Sequence, residues 1–200
     1  ALDPKADEPL LMMAHLKTAR GSLMEARNDY RKLLPLRPND PYLLNNYAAT
    51  LAETGGDLPE ALRCATKAVQ LIPDNASFKD TLGWVHAKSN SFDAAKFIFS
   101  ALVAANPNEP VYLYHYGYTL FKLGDKDQAK KQLTIALAKK PTAADAEKIR
   151  QALTQVEYTP RTSQAKQGTA SRSQDKNSPP GQRQTRSPSP IAHQQPAPQF

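Results

Sequence analysis

The side chains that could do chemistry in this chain are four histidines, one cysteine and scattered carboxylates. His15, His86, His115 and His193 show no metal-ligand spacing, and no cysteine or carboxylate cluster completes a site. A nucleophilic Cys64 would need a positioned base, and no glycine-rich phosphate loop is present. We therefore expect neither an enzyme nor a bound cofactor or metal, with His86 in the core and Cys64 as a structural thiol.

Charge divides the chain into a body and a tail. Residues 1–157 carry 20 basic and 18 acidic side chains, whereas residues 158–200 carry 6 basic side chains against Asp175 alone. The tail also holds 7 prolines, 8 glutamines and 6 serines, and its only large aliphatic side chain is Ile191. Such a composition buries too little apolar surface to offset the entropy of ordering. We therefore predict a disordered, basic Pro/Gln/Ser-rich tail at 158–200.

Three roles stay open for this tail. It is a solubilising extension, or its arginines bind nucleic acid or another anionic polymer without a fixed structure. In the third interpretation, phosphorylation of Ser187 and Ser189 cancels the charge of Arg183 and Arg186. Nucleic acid is not the expected partner of the body, because the body is nearly neutral.

Prolines and small residues recur along the body with one period. Three columns, each spaced by 34 or 35 residues, carry it: Pro4, Pro38, Pro73, Pro107 and Pro141; Ala26, Ala61, Ala95 and Ala129; and Ala14, Ala48, Gly83 and Gly117. The one extra residue falls between Ala48 and Ala61, where Thr54-Gly55-Gly56-Asp57 predicts a turn. Three columns in one register predict a repeat array.

Each period contains two predicted helices. In the third unit, Leu82-Gly83 and His86-Ala87 share one face at helical spacing, Ser89-Asn90-Ser91 interrupts it, and Ala94–Leu102 resumes it. Asp40-Pro41 and Asn108-Glu109-Pro110 are typical helix starts, and Pro73, Pro107 and Pro141 end second helices. Small residues in two facing columns let the paired helices approach, and Tyr30, Phe99 and Leu133 fill the gap one turn later.

These features together resemble the tetratricopeptide repeat family, and bacterial scaffold proteins within it. The resemblance rests on the 34-residue period, on Leu82-Gly83 and Tyr116-Gly117 in first helices, on Gly124-Asp125 in a turn, and on the terminal prolines. Ala48 and Asn90 depart from it, since the family has glycine there. The resemblance implies an all-α fold, a right-handed superhelical solenoid of antiparallel helix pairs.

The register also divides the chain into segments. Thr142 with Asp145 predicts a helix start, and Ala146, Ile149, Leu153 and Val156 form an apolar line after it, as in a terminal capping helix. The expected segments are the end of a preceding repeat at 1–6, repeats at about 7–40, 41–75, 76–109 and 110–141, a capping helix at 142–157 and the tail at 158–200.

In the family, first helices line a concave groove that binds peptides or protein segments. The resemblance places these candidate binding residues there: Asn45, Asn46, Trp84, Lys88, Tyr114, His115, Tyr118 and Lys122. His15, Tyr42, Glu53, Asp80 and Thr81 fall near the same surface. Trp84, Tyr114 and Tyr118 would form an aromatic ladder there, with core packing as the alternative. Asn45 and Asn46 would hydrogen-bond a bound backbone or, alternatively, a neighbouring helix.

Family members that hold acidic chaperone tails use a clamp of lysine, arginine and asparagine on successive first helices. Leu11, Met12, Asp80 and Thr81 stand in those columns here, so this recognition is not expected.

We expect a non-enzymatic protein–protein interaction scaffold whose partner is a protein or peptide. Leu44–Ala48 and Asp80–Trp84 are similar to bacterial repeat proteins of exopolysaccharide export and envelope assembly. Two alternatives are an oligomerisation module that pairs copies through Leu11 and Met12, and anionic-polymer binding by the tail. No stretch approaches about 18 consecutive apolar residues, and no signal peptide pattern is seen, so the compartment stays open between cytoplasm and periplasm.

Overall fold

A computed structural model describes residues 7–158 of the chain. The segment predicted at 1–6 and all but the first residue of the tail predicted at 158–200 lie outside the described residues. The described part contains nine helices and no strand. In chain order they are α1 (Asp7–Ala19), α2 (Leu23–Leu33), α3 (Pro41–Glu53), α4 (Leu58–Leu71), α5 (Ala76–Lys88), α6 (Phe92–Ala105), α7 (Pro110–Lys122), α8 (Lys126–Ala138) and α9 (Ala143–Tyr158). Each helix packs on the next, and α3, α5, α7 and α9 also contact in succession. The predicted all-α solenoid of antiparallel pairs is confirmed.

Side-chain caps fix where the helices begin. Asp40 accepts hydrogen bonds from the backbone N–H groups of Tyr42 and Leu43 at 3.0 and 3.1 Å, and Pro41 follows it in the first turn. At α7 the cap is Glu109, whose side chain accepts from the backbone of Val111. Asn108 does not cap this helix, because its Oδ1 accepts from Lys139 Nζ at 2.6 Å.

The start of α9 has the reciprocal cap that the sequence predicts. The backbone N–H of Asp145 donates to Thr142 Oγ1 at 3.2 Å, and the Thr142 hydroxyl donates to Asp145 Oδ2 at 2.6 Å. Ala146, Ile149 and Val156 are buried on the α9 face that packs against α7 and α8. The helix extends to Tyr158, one residue beyond the expected end of its segment.

The pairs are held together by small residues that face large ones. A Cβ built on Gly83 would lie 2.8 Å from the Phe99 ring, and one on Gly117 would lie 2.8 Å from Leu133. Tyr30, Phe99 and Leu133 are completely buried, as the repeat register predicts. Close helix approach in the third and fourth pairs therefore depends on glycine at these two positions.

The turns inside the pairs use residues that tolerate a left-handed backbone. Gly55 and Gly124 have φ of 63° and 87°, and Asn90 has φ of 60° in the turn between α5 and α6. Asparagine is one of the few side chains that adopts this conformation readily. Asn90 therefore serves where the resembling family places glycine.

Candidate functional site

The concave side of the array contains a cavity of about 440 Å³. Its walls come from α3, α5 and α7, from the end of α1, the start of α2 and the turn between them, and from the first turns of α9. The lining residues are Thr18, Ala19, Gly21, Leu23, Ala49, Glu53, Asp80, Thr81, Trp84, Val111, Tyr114, His115, Ala144, Asp145 and Lys148.

The space exists because one concave position carries a small residue. Ala49 in α3 occupies the repeat position held by Trp84 in α5 and Tyr118 in α7, 35 and 34 residues further on. His15 holds the same position in α1. Since the other three residues have rings, a methyl group at Ala49 leaves room beside Trp84 for another molecule.

Trp84 is the centre of the aromatic wall. Its side chain is only 7% exposed and stacks on His115, with ring centroids 4.1 Å apart and planes at 20°. Its Nε1–H donates to Glu53 Oε1 at 2.5 Å, which ties α5 to α3. The sequence left core packing and partner binding open for this ring. In the structure Trp84 is packed against its neighbours, and the same side chain also lines the cavity.

His115 joins the wall to a buried carboxylate. Its Nδ1 lies 2.8 Å from Asp80 Oδ1, so the pair links α7 to α5. Phe99 contacts the same imidazole at a centroid distance of 5.5 Å. The pairing fixes the ring plane that Trp84 stacks on, which makes His115 a positioning residue for the wall.

Two tyrosines of α7 complete the aromatic group. Tyr118 meets Trp84 edge-on at 5.2 Å, and Tyr114 lies 6.1 Å from Trp84 and 5.3 Å from His115. Tyr114 lines the cavity. Burial, followed by the nearby charge of Glu53, raises the pKa of Tyr114 to about 12, so its hydroxyl stays protonated and can donate a hydrogen bond.

Two lysines lie over the outer part of this aromatic group. Lys88 Nζ is 5.0 Å from the Trp84 ring centroid, and Lys122 Nζ is 5.4 Å from that of Tyr118. Glu53, Lys88 and Lys122 occupy one repeat position, so the charge along this edge changes from negative on α3 to positive on α5 and α7.

Three residues on the concave side of α1 and α3, namely His15, Asn45 and Asn46, are polar. Asn46 Nδ2 lies 3.2 Å from His15 Nε2, and Asn45 Nδ2 donates to Asn46 Oδ1 at 3.3 Å. Asn45 is 6% exposed, and its Oδ1 has no hydrogen-bond partner among the described residues. Asn46 thus links α3 to His15 of α1, whereas Asn45 bonds within α3, and neither amide lines the cavity.

The eight candidate residues are therefore distributed over three environments. Trp84, Tyr114 and His115 line the cavity, Lys88, Tyr118 and Lys122 adjoin it, and Asn45 and Asn46 lie on the neighbouring polar stretch.

Sequence reasoning missed the pairing of Asp80 with His115 and the share that α9 takes in the cavity through Asp145 and Lys148. The spacing of 35 residues between Asp80 and His115 was a usable signal for the first, because it is one period of the array. No local pattern could bring α9 to α3, since that proximity comes from superhelical curvature.

The remaining chemical side chains are separate from the cavity. Cys64 is buried, and burial raises the pKa of its thiol, as expected for a structural cysteine. His86 is half-buried rather than enclosed, and burial lowers its pKa. Across residues 7–158 no group of three or more His, Cys, Asp or Glu side chains could hold a metal ion. Nor does that part contain a helix with the length and apolarity to cross a membrane.

Comparisons with known proteins agree on the fold. Residues 81–144 match the family model described as tetratricopeptide repeat. MamA from Desulfovibrio magneticus RS-1, residues 41 to the end, is 20% identical with a TM-score of 0.54, over 76% of this chain and 93% of that one. A thermophilic repeat protein of Thermus thermophilus is 21% identical with a TM-score of 0.58, over 76% and 81%.

A tetratricopeptide repeat protein from Parabacteroides merdae ATCC 43184 is 18% identical with a TM-score of 0.53, over 76% of this chain and 60% of that one. A search of curated protein sequences gives no match. At these identities the solved structures show the fold, and the family match confirms the resemblance predicted from the repeat columns.

Proposed function

We propose that this chain, which carries tetratricopeptide repeats and folds as their solenoid, is a protein-interaction scaffold that binds a peptide or protein segment in its concave cavity. The observation that supports this most is the vacant ring position at Ala49, which leaves about 440 Å³ beside Trp84, Tyr114 and His115. Aromatic walls bury large area with little loss of side-chain entropy, and they recur at the centres of protein interfaces.

The walls are rigid before any partner arrives. Trp84 is fixed by the Glu53 hydrogen bond and the His115 stack, and His115 is fixed in turn by Asp80. Because these contacts order the rings in advance, little entropy is lost there on binding. Lys88, Tyr118, Lys122, Asn45 and Asn46 then offer contacts to parts of the segment that extend beyond the cavity.

Filling the cavity tests this proposal directly. Short peptides selected from a random phage library with the full chain as bait should bind and change the fluorescence of Trp84, the only tryptophan. Ala49→Phe puts a ring at the vacant position, and we expect it to weaken these peptides at least about tenfold. Ala101→Phe, at an exposed site on the second helix of a pair, is the matched control and should leave their affinity unchanged.

Peptides that bind Ala49→Phe as tightly as the unaltered chain, with no fluorescence change, would contradict the proposal. Thermal unfolding of both variants separates a blocked cavity from a damaged fold.

A setting in bacterial envelope or exopolysaccharide assembly is a finer part of the same proposal. It rests on the similarity of Leu44–Ala48 and Asp80–Trp84 to bacterial repeat proteins of those systems. In the source organism, deletion should reduce secreted polysaccharide, and the Ala49→Phe chain should fail to restore it. Unchanged polysaccharide after deletion would remove this setting without touching the scaffold role.

Self-association is a second candidate function, favoured by exposed apolar side chains on the first pair. Met12 is 61% exposed, and Met13, Leu16 and Met24 are also exposed, whereas Leu11 packs partly against the core. If this face joins two copies, light scattering of the full chain should give a dimer mass that Met12→Glu reduces to a monomer. Phe97→Glu, on an exposed side chain of α6, is the control.

A further inference from the structure

The charged groups of the cavity are mostly acidic. Glu53, Asp80 and Asp145 line it, and Lys148 is its one ammonium group among the described residues. The cavity therefore combines aromatic walls with an excess of carboxylates, while Lys88 and Lys122 lie over the Trp84 and Tyr118 rings and are not among its lining residues. This difference in charge indicates what kind of side chain the cavity accepts.

Two of these carboxylates lack a positive partner. Glu53 accepts from the neutral indole N–H of Trp84, and Asp145 accepts from the neutral hydroxyl of Thr142. Neither has an ion-pair partner within 4.0 Å in the described chain. Hydrogen bonds from neutral donors hold a carboxylate in place without cancelling its charge. Both groups are therefore oriented anions facing a space large enough for a ligand group.

Tyr114 lies within the influence of both carboxylates. Burial raises the pKa of its phenol, and the charges of Glu53 and then of Asp145 add to the effect. One face of Trp84 is covered by the His115 stack, whereas Tyr114 meets Trp84 and His115 only in tilted contacts of 6.1 and 5.3 Å. Tyr114 therefore lines the same cavity as both carboxylates.

We propose that the cavity binds an arginine side chain presented by a partner protein segment, with the guanidinium between Glu53 and Asp145 against the Tyr114 ring. Arginine is flat, permanently charged and carries five N–H donors with no acceptor, which matches two carboxylates beside an aromatic face. Its stem packs along the apolar wall that Ala49 leaves open. This inference rests on the proposed scaffold function and specifies its ligand.

The test uses the full chain and the peptides selected from the random phage library. Each peptide is synthesised with arginine and again with citrulline, which has the same shape but no charge. We expect arginine to be enriched among the selected peptides, and each citrulline form to bind about tenfold more weakly by Trp84 fluorescence. Glu53→Gln and Asp145→Asn keep acceptor oxygens for Trp84 and Thr142, and each should weaken the arginine peptide by about the same factor.

Glu147→Gln is the matched control, since it removes an exposed carboxylate from α9 outside the cavity and should not change affinity. Lysine-enriched peptides, or citrulline forms that bind equally well, would overturn the arginine assignment. If such peptides are still blocked by Ala49→Phe, the scaffold function stands and only this inference fails. If no peptide is sensitive to Ala49→Phe, the scaffold proposal itself is wrong.

Discussion

The second pair (α3 and α4) and the third pair (α5 and α6) have the same architecture but different side chains on each face. At the inner contact, Ala48 and Ala65 of the second pair correspond to Gly83 and Phe99 of the third. In the third pair, Gly83 on one helix faces the large ring of Phe99 on the other. Phe99 belongs to the same buried cluster as Ala48 and Ala65 of the second pair. Close packing constrains the combined volume of the two facing side chains, whereas the volume of either side chain can vary when the other compensates.

On the concave face, the difference in side-chain volume between the two pairs is not compensated by a neighbouring residue. Asn45 and Ala49 in α3 correspond to Asp80 and Trp84 in α5, and a cavity remains beside Ala49. The inner contact thus fixes the packing of the paired helices, whereas the concave face leaves a space unfilled.

Removing the large partner of the inner contact has the largest expected effect. Phe99→Ala leaves a cavity against Gly83 and should lower the free energy of unfolding by about 3–5 kcal/mol in urea denaturation. Phe97→Ala, two residues away and 78% exposed, should change it by less than about 0.5 kcal/mol. Similar losses in the two variants would break the distinction between inner and outer residues of α6.

Adding one methyl group to the small partner has a smaller effect of the same origin. Gly83→Ala gains about 1 kcal/mol of helix propensity, but its Cβ would lie within 3 Å of the Phe99 ring, and overpacking costs about 1–3 kcal/mol. We expect a net loss of about 1 kcal/mol in the same denaturation measurement. Phe99→Leu should lower the free energy of unfolding by less in the Gly83→Ala background than in the unaltered chain. Strictly additive losses of free energy would show that the two residues do not share the space.

The smallest effect concerns a position where the third pair differs from its neighbours. His86 holds the repeat position of Leu51 and Leu120, both buried, and burial lowers its pKa from the ordinary 6.5. The unfolded chain then binds this proton more tightly than the folded one. The contribution of neutral His86 is therefore complete above pH 6.5 and is lost as the pH falls through the lowered value.

Urea midpoints at about pH 8 and about pH 5 check this dependence on protonation. His86→Leu should show a smaller loss of stability on acidification than the unaltered chain. An equal loss in both would mean that other groups account for the acid sensitivity.

Much of the fold was predictable because the same local sequence pattern recurs in each repeat. The small-residue columns, the turn at Asn90 and the Thr142–Asp145 cap each follow from contacts close in sequence or one period apart. Within the predicted start Asn108-Glu109-Pro110, the sequence did not show which residue caps α7. Glu109 supplies the cap, whereas Asn108 bonds to Lys139, 31 residues further on.

The amino-acid sequence was enough to specify the period, the helix pairs and which faces pack, because helical contacts are short-range and a periodic pattern repeats them. The three-dimensional structure was needed to show that Trp84 is held by Glu53 and stacked on His115, and that Ala49 and Asp145 share one cavity. Those relations depend on how side chains of different repeats are oriented toward one another, which follows from superhelical curvature. Curvature is the sum of small rotations between pairs, which a single repeat does not encode.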